Sequence, residues 1–196
     1  MNLNFTVKQK EYPKAKENVS SYMKRVAAFL LCCMFFIPLG AQTKKVVGAV
    51  ELRTYEKQKT SIRAFGTKPV LLFYVDPDAY LQNKTFRDSL KMEYRDTTNM
   101  ACCVVINVKD GSSFIPNAMI RKVAEKEVEG ANVQLCYDFD RLLRKAWNLG
   151  NGVNNTCTII LVNAKGEVEF LKMGELTSQE KHSLLELINP LLNYEL

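Results

Sequence analysis

The sequence predicts an α/β domain of three layers, in which helices cover both faces of a mixed central β-sheet and an N-terminal β-hairpin precedes the core. Short, uninterrupted apolar segments are typical of strands buried on both faces, and here they alternate with segments whose apolar residues recur at helical spacing. Near the end of the chain a tight turn at residues 164–166 joins two strands, which makes them antiparallel. The composition, with 47% apolar and 24% charged residues, excludes disordered, collagen-like and multi-span membrane proteins.

The predicted strands are apolar runs with turn residues on either side. The first core run is followed directly by Asp76, Pro77 and Asp78, which end it. We expect core strands at residues 69–75, 101–108, 133–137 and 157–162, an edge strand at 167–173, and a hairpin formed by 46–55 and 60–65.

The predicted helices follow from apolar spacing and from capping residues. Helices are expected at residues 79–94 and 112–129, and Pro116 suits the first turn of the second one. Asp140 is predicted to cap a short helix before Gly150. The last helix is predicted to begin at Thr177 with a capping box. Its buried face is predicted to consist of Leu184, Leu185, Leu187, Ile188, Leu191 and Leu192.

Residues 23–42 have the parts of a secretory signal peptide. Two basic residues precede 14 uninterrupted apolar residues, and the small residues Gly40 and Ala41 suit cleavage. This run is shorter than the roughly 20 residues that a membrane span needs. A buried helix is the alternative, and a lipidated Cys32 fits less well because Leu31 precedes it. We therefore expect translation to start at Met23, cleavage to follow Ala41, and a single domain to occupy residues 42–196.

Removal of the leader changes the charge balance. Residues 1–41 hold six basic and two acidic residues, so the rest of the chain keeps 21 and 19, and its net charge falls from +6 to +2. The remaining chain shows no basic stripe, which argues against nucleic-acid binding. We expect a periplasmic or secreted protein that contacts the membrane only during export.

Several stretches resemble proteins of the thioredoxin-like fold, among them exported TlpA-like and peroxiredoxin-like members and, most specifically, the YtfJ-type periplasmic proteins. The stretches are FGTKPVLLFYV (65–75), FIPNAMIRKVAEKEVE (114–129), QLCYDFDRLLRKAWNLGNG (134–152) and TIILVNAKGEVEFLKMGELTSQE (158–180). The last one resembles the closing hairpin of the family, which ends in a glycine before an N-capped helix. The resemblance covers nearly all of residues 46–193 and implies the fold, but it implies little about function because this fold hosts many roles.

The sequence departs from the redox-active members of this fold at both halves of their site. In those members a Cys-x-x-Cys follows the central strand, where a helix N-terminus stabilises the thiolate, and a cis-proline precedes the fourth strand. Here residues 76–81 contain no sulfur, and residues 154–157 contain no proline. Since a carboxylate cannot exchange disulfides, the resemblance implies a protein without dithiol activity, as in the YtfJ-type proteins.

Four cysteines remain after the leader, all of them in predicted apolar strands, where free cysteine is commonly a core residue. Cys102 and Cys103 are neighbours and should point to opposite faces of the sheet. On the thioredoxin-like template Cys157 lies at the other end of the sheet from this pair, roughly 20 Å away and beyond disulfide reach. A pairing of Cys136 with Cys102 or Cys103 stays open. If a cysteine is catalytic, Cys157 is favoured by its position, ahead of Cys102 and Cys103.

The loop after the central strand offers the candidate ligand-binding residues Asp76, Asp78 and Tyr80. The alternative is that both carboxylates serve the turn, with Asp78 placed to cap the next helix. His182, the single histidine, lies on the last helix away from any Cys or Ser motif, so we expect no metal site, no cofactor and no catalytic triad.

Three functions are consistent with the sequence. The first is a binding protein of the cell envelope without redox activity, whose partner is another envelope protein or a small molecule. The second is a thiol-dependent oxidoreductase or peroxidase that uses an atypical cysteine. The third is an interaction module that pairs through the predicted edge strand at residues 167–173.

Overall fold

A seven-stranded mixed β-sheet forms the centre of the domain. The computed structural model describes residues 44–93, 97–111 and 115–192, and the predicted signal peptide, its start at Met23 and its cleavage site after Ala41 lie outside these residues. The strands are β1 (Glu51–Arg53), β2 (Lys59–Ser61), β3 (Val70–Val75), β4 (Ala101–Asn107), β5 (Val133–Asp138), β6 (Cys157–Val162) and β7 (Val168–Met173). They lie in the order β2-β1-β5-β4-β3-β6-β7.

The strand β3 organises the sheet. Every residue of VLLFYV is buried, as expected for a continuous apolar run covered on both faces. β3 pairs in parallel with β4, placing Val70 opposite Ala101, and antiparallel with β6, placing Val75 opposite Cys157. β4 is parallel to β5, and β6 is antiparallel to β7. The predicted mixed sheet is therefore confirmed, and β7 is an edge strand as predicted.

Helices cover both faces of this sheet and complete the three predicted layers. They are α1 (Lys84–Glu93), α2 (Asn117–Val128), α3 (Leu142–Ala146) and α4 (Ser178–Ile188). One face packs against α1, α2 and α4 through residues such as Leu90, Ile120 and Leu184. The other face packs against Leu143 of α3, the indole of Trp147 and apolar residues of the N-terminal hairpin region. Within the described residues, no helix combines the length and the apolar character that a membrane crossing requires.

Two predicted capping residues are wrong for a shared reason. In both Asp-x-Asp sequences the aspartate closer to the strand accepts the backbone hydrogen bonds. Asp76, rather than Asp78, caps a 3-10 turn at Pro77–Ala79, and the helix predicted from residue 79 begins only at Lys84. Asp138, rather than Asp140, accepts the N–H groups of the first turn of α3. A carboxylate attached to the rigid strand end is held in place for capping, whereas the second carboxylate points outward.

The remaining helices follow their predictions more closely. The helix predicted at residues 112–129 is α2, which begins directly after Pro116, and residues 112–114 lie outside the described residues. The predicted capping box of α4 is confirmed, because the Thr177 hydroxyl accepts from the Glu180 N–H and the Glu180 carboxylate accepts from the Thr177 N–H. Of its predicted buried residues, Leu184 and Ile188 are fully buried, whereas Leu187 is 37% exposed, so that its predicted burial is wrong.

The N-terminal segment contributes more than the predicted hairpin. β1 and β2 form an antiparallel hairpin, but its strands are shorter than predicted. The preceding residues pair instead with the start of β7, since Val168 N–H donates to the Lys45 carbonyl at 2.8 Å and Val47 N–H donates to the Gly166 carbonyl at 2.8 Å. At Gly166 the φ angle is +81°, and a Cβ atom would lie 2.6 Å from the Val47 carbonyl oxygen. Residues 45–47 thereby cover the start of the edge strand β7.

We predict that Leu184→Ala lowers the free energy of unfolding by about 2–5 kcal/mol, because it leaves a cavity in the core between α4 and the sheet. The control Leu187→Ala, in the same helix but at an exposed position, should change it by no more than about 0.5 kcal/mol. Urea unfolding monitored by circular dichroism measures both values. Equal effects of the two substitutions would contradict the packing of α4 described above.

Candidate functional site

Asp76 occupies the carboxyl end of the central strand, and its side chain is fully buried. One carboxylate oxygen accepts the Asp78 N–H at 3.0 Å, and the other accepts the Asn155 N–H at 3.0 Å. Burial raises the pKa of Asp76, although these two hydrogen bonds act in the opposite direction. The carboxylate therefore joins the loop after β3 to the loop before β6.

Gln82 strengthens the same connection between the two loops. Its amide nitrogen donates to the Asn155 carbonyl at 3.2 Å, and its amide oxygen accepts the Cys157 N–H at 2.8 Å. The Asp76 N–H donates in turn to the Thr156 carbonyl at 3.1 Å. The segment that carries the active site in redox relatives is thus held at both ends by side chains that have no redox chemistry.

Asn83 ties this segment to the start of the last helix. It is buried and adopts a left-handed backbone conformation with φ of 56°. Its side-chain amide donates to the Gly174 carbonyl at 2.9 Å and accepts the Leu176 N–H at 2.9 Å. Because the left-handed residue cannot continue a helix, α1 begins only after it.

The candidate residues Asp78 and Tyr80 lie on the exposed side of this loop. Asp78 is exposed and uses its backbone N–H in the turn, whereas Tyr80 is 41% exposed. The Tyr80 carbonyl accepts a hydrogen bond from the guanidinium of Arg87 in α1. Pro77 and Tyr80 also line an apolar cavity of about 120 Å³ between this loop, α2 and the sheet, which we call the Arg87 cavity.

A second polar network, which the sequence analysis did not identify, surrounds Asp110 after β4. The side chain of Asp110 is only 3% exposed, and it accepts from Arg141 at 2.5 Å, from Arg144 at 2.6 Å and from the Asn107 amide at 2.9 Å. Desolvation alone would raise the pKa of Asp110, but these hydrogen bonds outweigh it and lower the pKa. Arg144 also binds the Asn154 side chain at 2.8 Å, so the network reaches the loop before β6.

Asp138 forms the third buried carboxylate site at this end of the sheet. It accepts the N–H groups of Leu142 at 2.7 Å and Leu143 at 3.0 Å, and it also accepts the Tyr74 hydroxyl at 3.2 Å. Burial and the neighbouring Asp138 carboxylate raise the pKa of Tyr74, which therefore stays protonated as a donor. Among the described residues, no group of three or more His, Cys, Asp and Glu side chains is placed to hold a metal ion.

The four described cysteines are free thiols at separate positions in the sheet. Cys157 lies beside Val75 at the Asp76 end, whereas Cys102 lies beside Leu71 at the opposite end, as the template predicted. Burial raises the pKa of Cys157 and of Cys102 to about 11. Cys102 and Cys103 belong to opposite faces of the sheet, in agreement with strand geometry.

Cys103 and Cys136 lie on the same buried face of neighbouring strands. Cys136 pairs with Val105 and is thus diagonal to Cys103 on the neighbouring parallel strand. Both are free thiols, so the structure shows no disulfide between them. A hydrogen bond with Cys136 and burial raise the pKa of Cys103. None of these thiols lies in the loop after β3, where redox relatives carry their reactive sulfur.

Solved structures similar to this one define the class of fold as thioredoxin-like. A thiol-disulfide oxidoreductase from Bacteroides fragilis is 16% identical, with a TM-score of 0.53 over 74% of this chain and 99% of that one. The pneumococcal exposed lipoprotein thioredoxin from Streptococcus pneumoniae is 14% identical, with a TM-score of 0.51 over 73% and 99%. A peroxiredoxin-like protein from Aquifex aeolicus is 11% identical, with a TM-score of 0.52 over 76% and 86%. At these identities the similarity establishes the fold alone.

Within this class, the chain belongs to the family described as "Bacterial protein of unknown function (YtfJ_HI0045)", whose match covers residues 77–191. The match begins directly after Asp76 and includes the Asp110 network, the last helix and all residues that line the Arg87 cavity except Val75. A search of curated proteins found no match. The predicted resemblance to the YtfJ-type proteins is therefore confirmed.

We predict that Asp138→Ala lowers the free energy of unfolding by about 2–4 kcal/mol, because it leaves the buried Tyr74 hydroxyl and two helix N–H groups without their acceptor. Asp140→Ala is the matched control, since the Asp140 side chain is largely exposed and, among the described residues, forms a single 3.8 Å ion pair with Arg53. It should change stability by about 0.5 kcal/mol or less. Thermal or urea unfolding compares the two variants, and a larger loss for Asp140→Ala would reinstate it as the cap.

Proposed function

We propose that this protein is an exported binding protein of the cell envelope that uses a thioredoxin-like domain without redox activity. The observation that carries the proposal is the bonding of Asp76. Both of its oxygens accept backbone N–H groups at 3.0 Å, so the position after the central strand holds a buried structural carboxylate. The loop that follows then serves to present a surface, with Tyr80 on its exposed side.

The state of the thiols supports the absence of redox turnover. Cys103, Cys136 and Cys157 are each no more than 1% exposed, and the pKa of Cys157 is about 11. The thiolate is the nucleophile in disulfide exchange, and a buried thiol in apolar surroundings is inert. A partner disulfide therefore has no access to these three sulfurs, and burial raises the pKa of Cys157 as well.

A thiol-dependent oxidoreductase or peroxidase is the second candidate. The observation in its favour is that Cys157 lies beside Val75, at the same end of the sheet as Asp76. Its amide N–H is bound to Gln82, and its side chain is fully buried in the core on the side of α1 and α4. Such a role would require the loop at Gln82 to open before Cys157 could react.

We predict that the purified protein shows no turnover in an insulin-reduction assay. We also predict that its thiols react with an aromatic disulfide reagent at least about 100-fold more slowly than free cysteine at pH 8, because burial limits access of the reagent and raises the pKa of Cys102 and Cys157. All of them should react at once in denaturant. Cys157→Ser should leave both results unchanged, with Cys102→Ser as the control at the opposite end of the sheet. Turnover that is lost in Cys157→Ser alone would establish the second candidate instead.

Export is part of the same proposal and rests on the leader. Residues 23–41 have the basic, apolar and small-residue parts of a signal peptide, and one structural relative is an exposed lipoprotein. Mass spectrometry of protein recovered from the envelope should give a chain that begins at Gln42. A chain that keeps residues 23–41, or a protein found only in the cytoplasm, would contradict export without affecting the binding proposal.

A further inference from the structure

The Arg87 cavity has the composition of a small-molecule site. It lies between the loop after β3, α2 and the ends of β3 and β4, and its lining is apolar apart from Arg87 and Glu127. Its volume of about 120 Å³ is close to that of cavities that hold one benzene ring. At the rim, Tyr80 is 41% exposed and Met119 is 60% exposed. An apolar ligand of ring size could enter between these two side chains.

Arg87 supplies the polar group that such a site needs. It is only 7% exposed, and its Nε atom is buried without a hydrogen-bond partner among the described residues. Its Nη2 atom donates to the Tyr80 carbonyl and lies 4.0 Å from the Glu127 carboxylate. Buried donors in folded proteins are almost always paired, so an orphan guanidinium N–H beside a cavity indicates that an acceptor is missing.

The surrounding charges favour an acceptor that is anionic. Glu127 is shared among Lys84 at 2.9 Å, Lys91 at 3.7 Å and Arg87 at 4.0 Å. Asp88 contacts the same two lysines, at 2.9 and 3.3 Å. Three cations thus face two carboxylates in this cluster, and Arg87 is the cation among them that is buried, at 7% side-chain exposure against 39% for Lys84 and 26% for Lys91. A ligand carboxylate would balance that charge and accept from the planar guanidinium.

We infer that the Arg87 cavity binds a small apolar carboxylic acid, with its hydrocarbon part against Val75, Ile106 and Ile120 and its carboxylate at Arg87. The inference rests on the proposed binding function, because Pro77 and Tyr80 of the same loop line the cavity. It assigns a ligand chemistry to that loop and a role to Arg87, which the sequence analysis did not select.

Benzoate is the probe, since it combines one ring with a carboxylate. Calorimetric or NMR titration of the full domain should give a dissociation constant of about 1 mM or tighter, with shifts at Met119 and Ile120. Neutral benzamide and acetate, which each lack one half of the chemistry, should bind at least roughly ten-fold more weakly. If benzoate does not bind, or if benzamide binds equally well, the inference is wrong.

Substitutions separate the two halves of the site. Arg87→Gln should abolish the preference for benzoate over benzamide, whereas Arg121→Gln, at an exposed arginine of α2, should leave it unchanged. In Val123→Phe the larger side chain fills part of the cavity from a half-buried position, so this variant should bind neither compound. This second variant provides the test if Arg87→Gln does not fold. Retained benzoate binding in Val123→Phe would overturn the inference. Failure of benzoate to bind, together with absent insulin reduction, would leave the proposed function intact.

Discussion

The buried carboxylate of Asp76 is the constraint on which the functional end of this domain depends. A charge removed from water is tolerated only where donors replace the lost hydration, and the donors here are backbone N–H groups of two different loops. The arrangement fixes the loop after β3, the loop before β6 and, through Gln82, the start of β6. In redox members of the fold this end of the sheet holds a reactive sulfur, whereas here its polar groups are used to hold the backbone.

The fold could be predicted because its signals are local. The buried strand Val70–Val75 is a continuous apolar run, and the capping box of Thr177 and Glu180 is readable within four residues. Helix starts were predicted less well because a cap is decided by orientation. Asp138 and Asp140 have the same chemistry, and only the direction in which the strand ends gives the buried position to Asp138.

The site was only partly predictable because its members meet across long sequence distances. Asp76 and Asp78 were recognised from the break in the apolar run, but the partner of Asp76 is Asn155, 79 residues further along the chain. The sequence analysis made no prediction for Arg87, because the sequence around it does not show that the helix turns this charged side chain toward the core. The Asp110 network had one available signal, since it follows the carboxyl end of a parallel strand, where ligand sites of α/β sheets tend to lie.

Gly166 has a consequence for the outer edge of the sheet. The backbone of Lys45–Val47 can close on the start of β7 only because no side chain separates it from the turn. A larger residue at this turn would displace that segment and leave unpaired peptide groups along an outer strand, which is the surface that chains use to add to one another. The absence of a Cβ atom at Gly166 thus keeps the peptide groups at the start of β7 paired within the same chain.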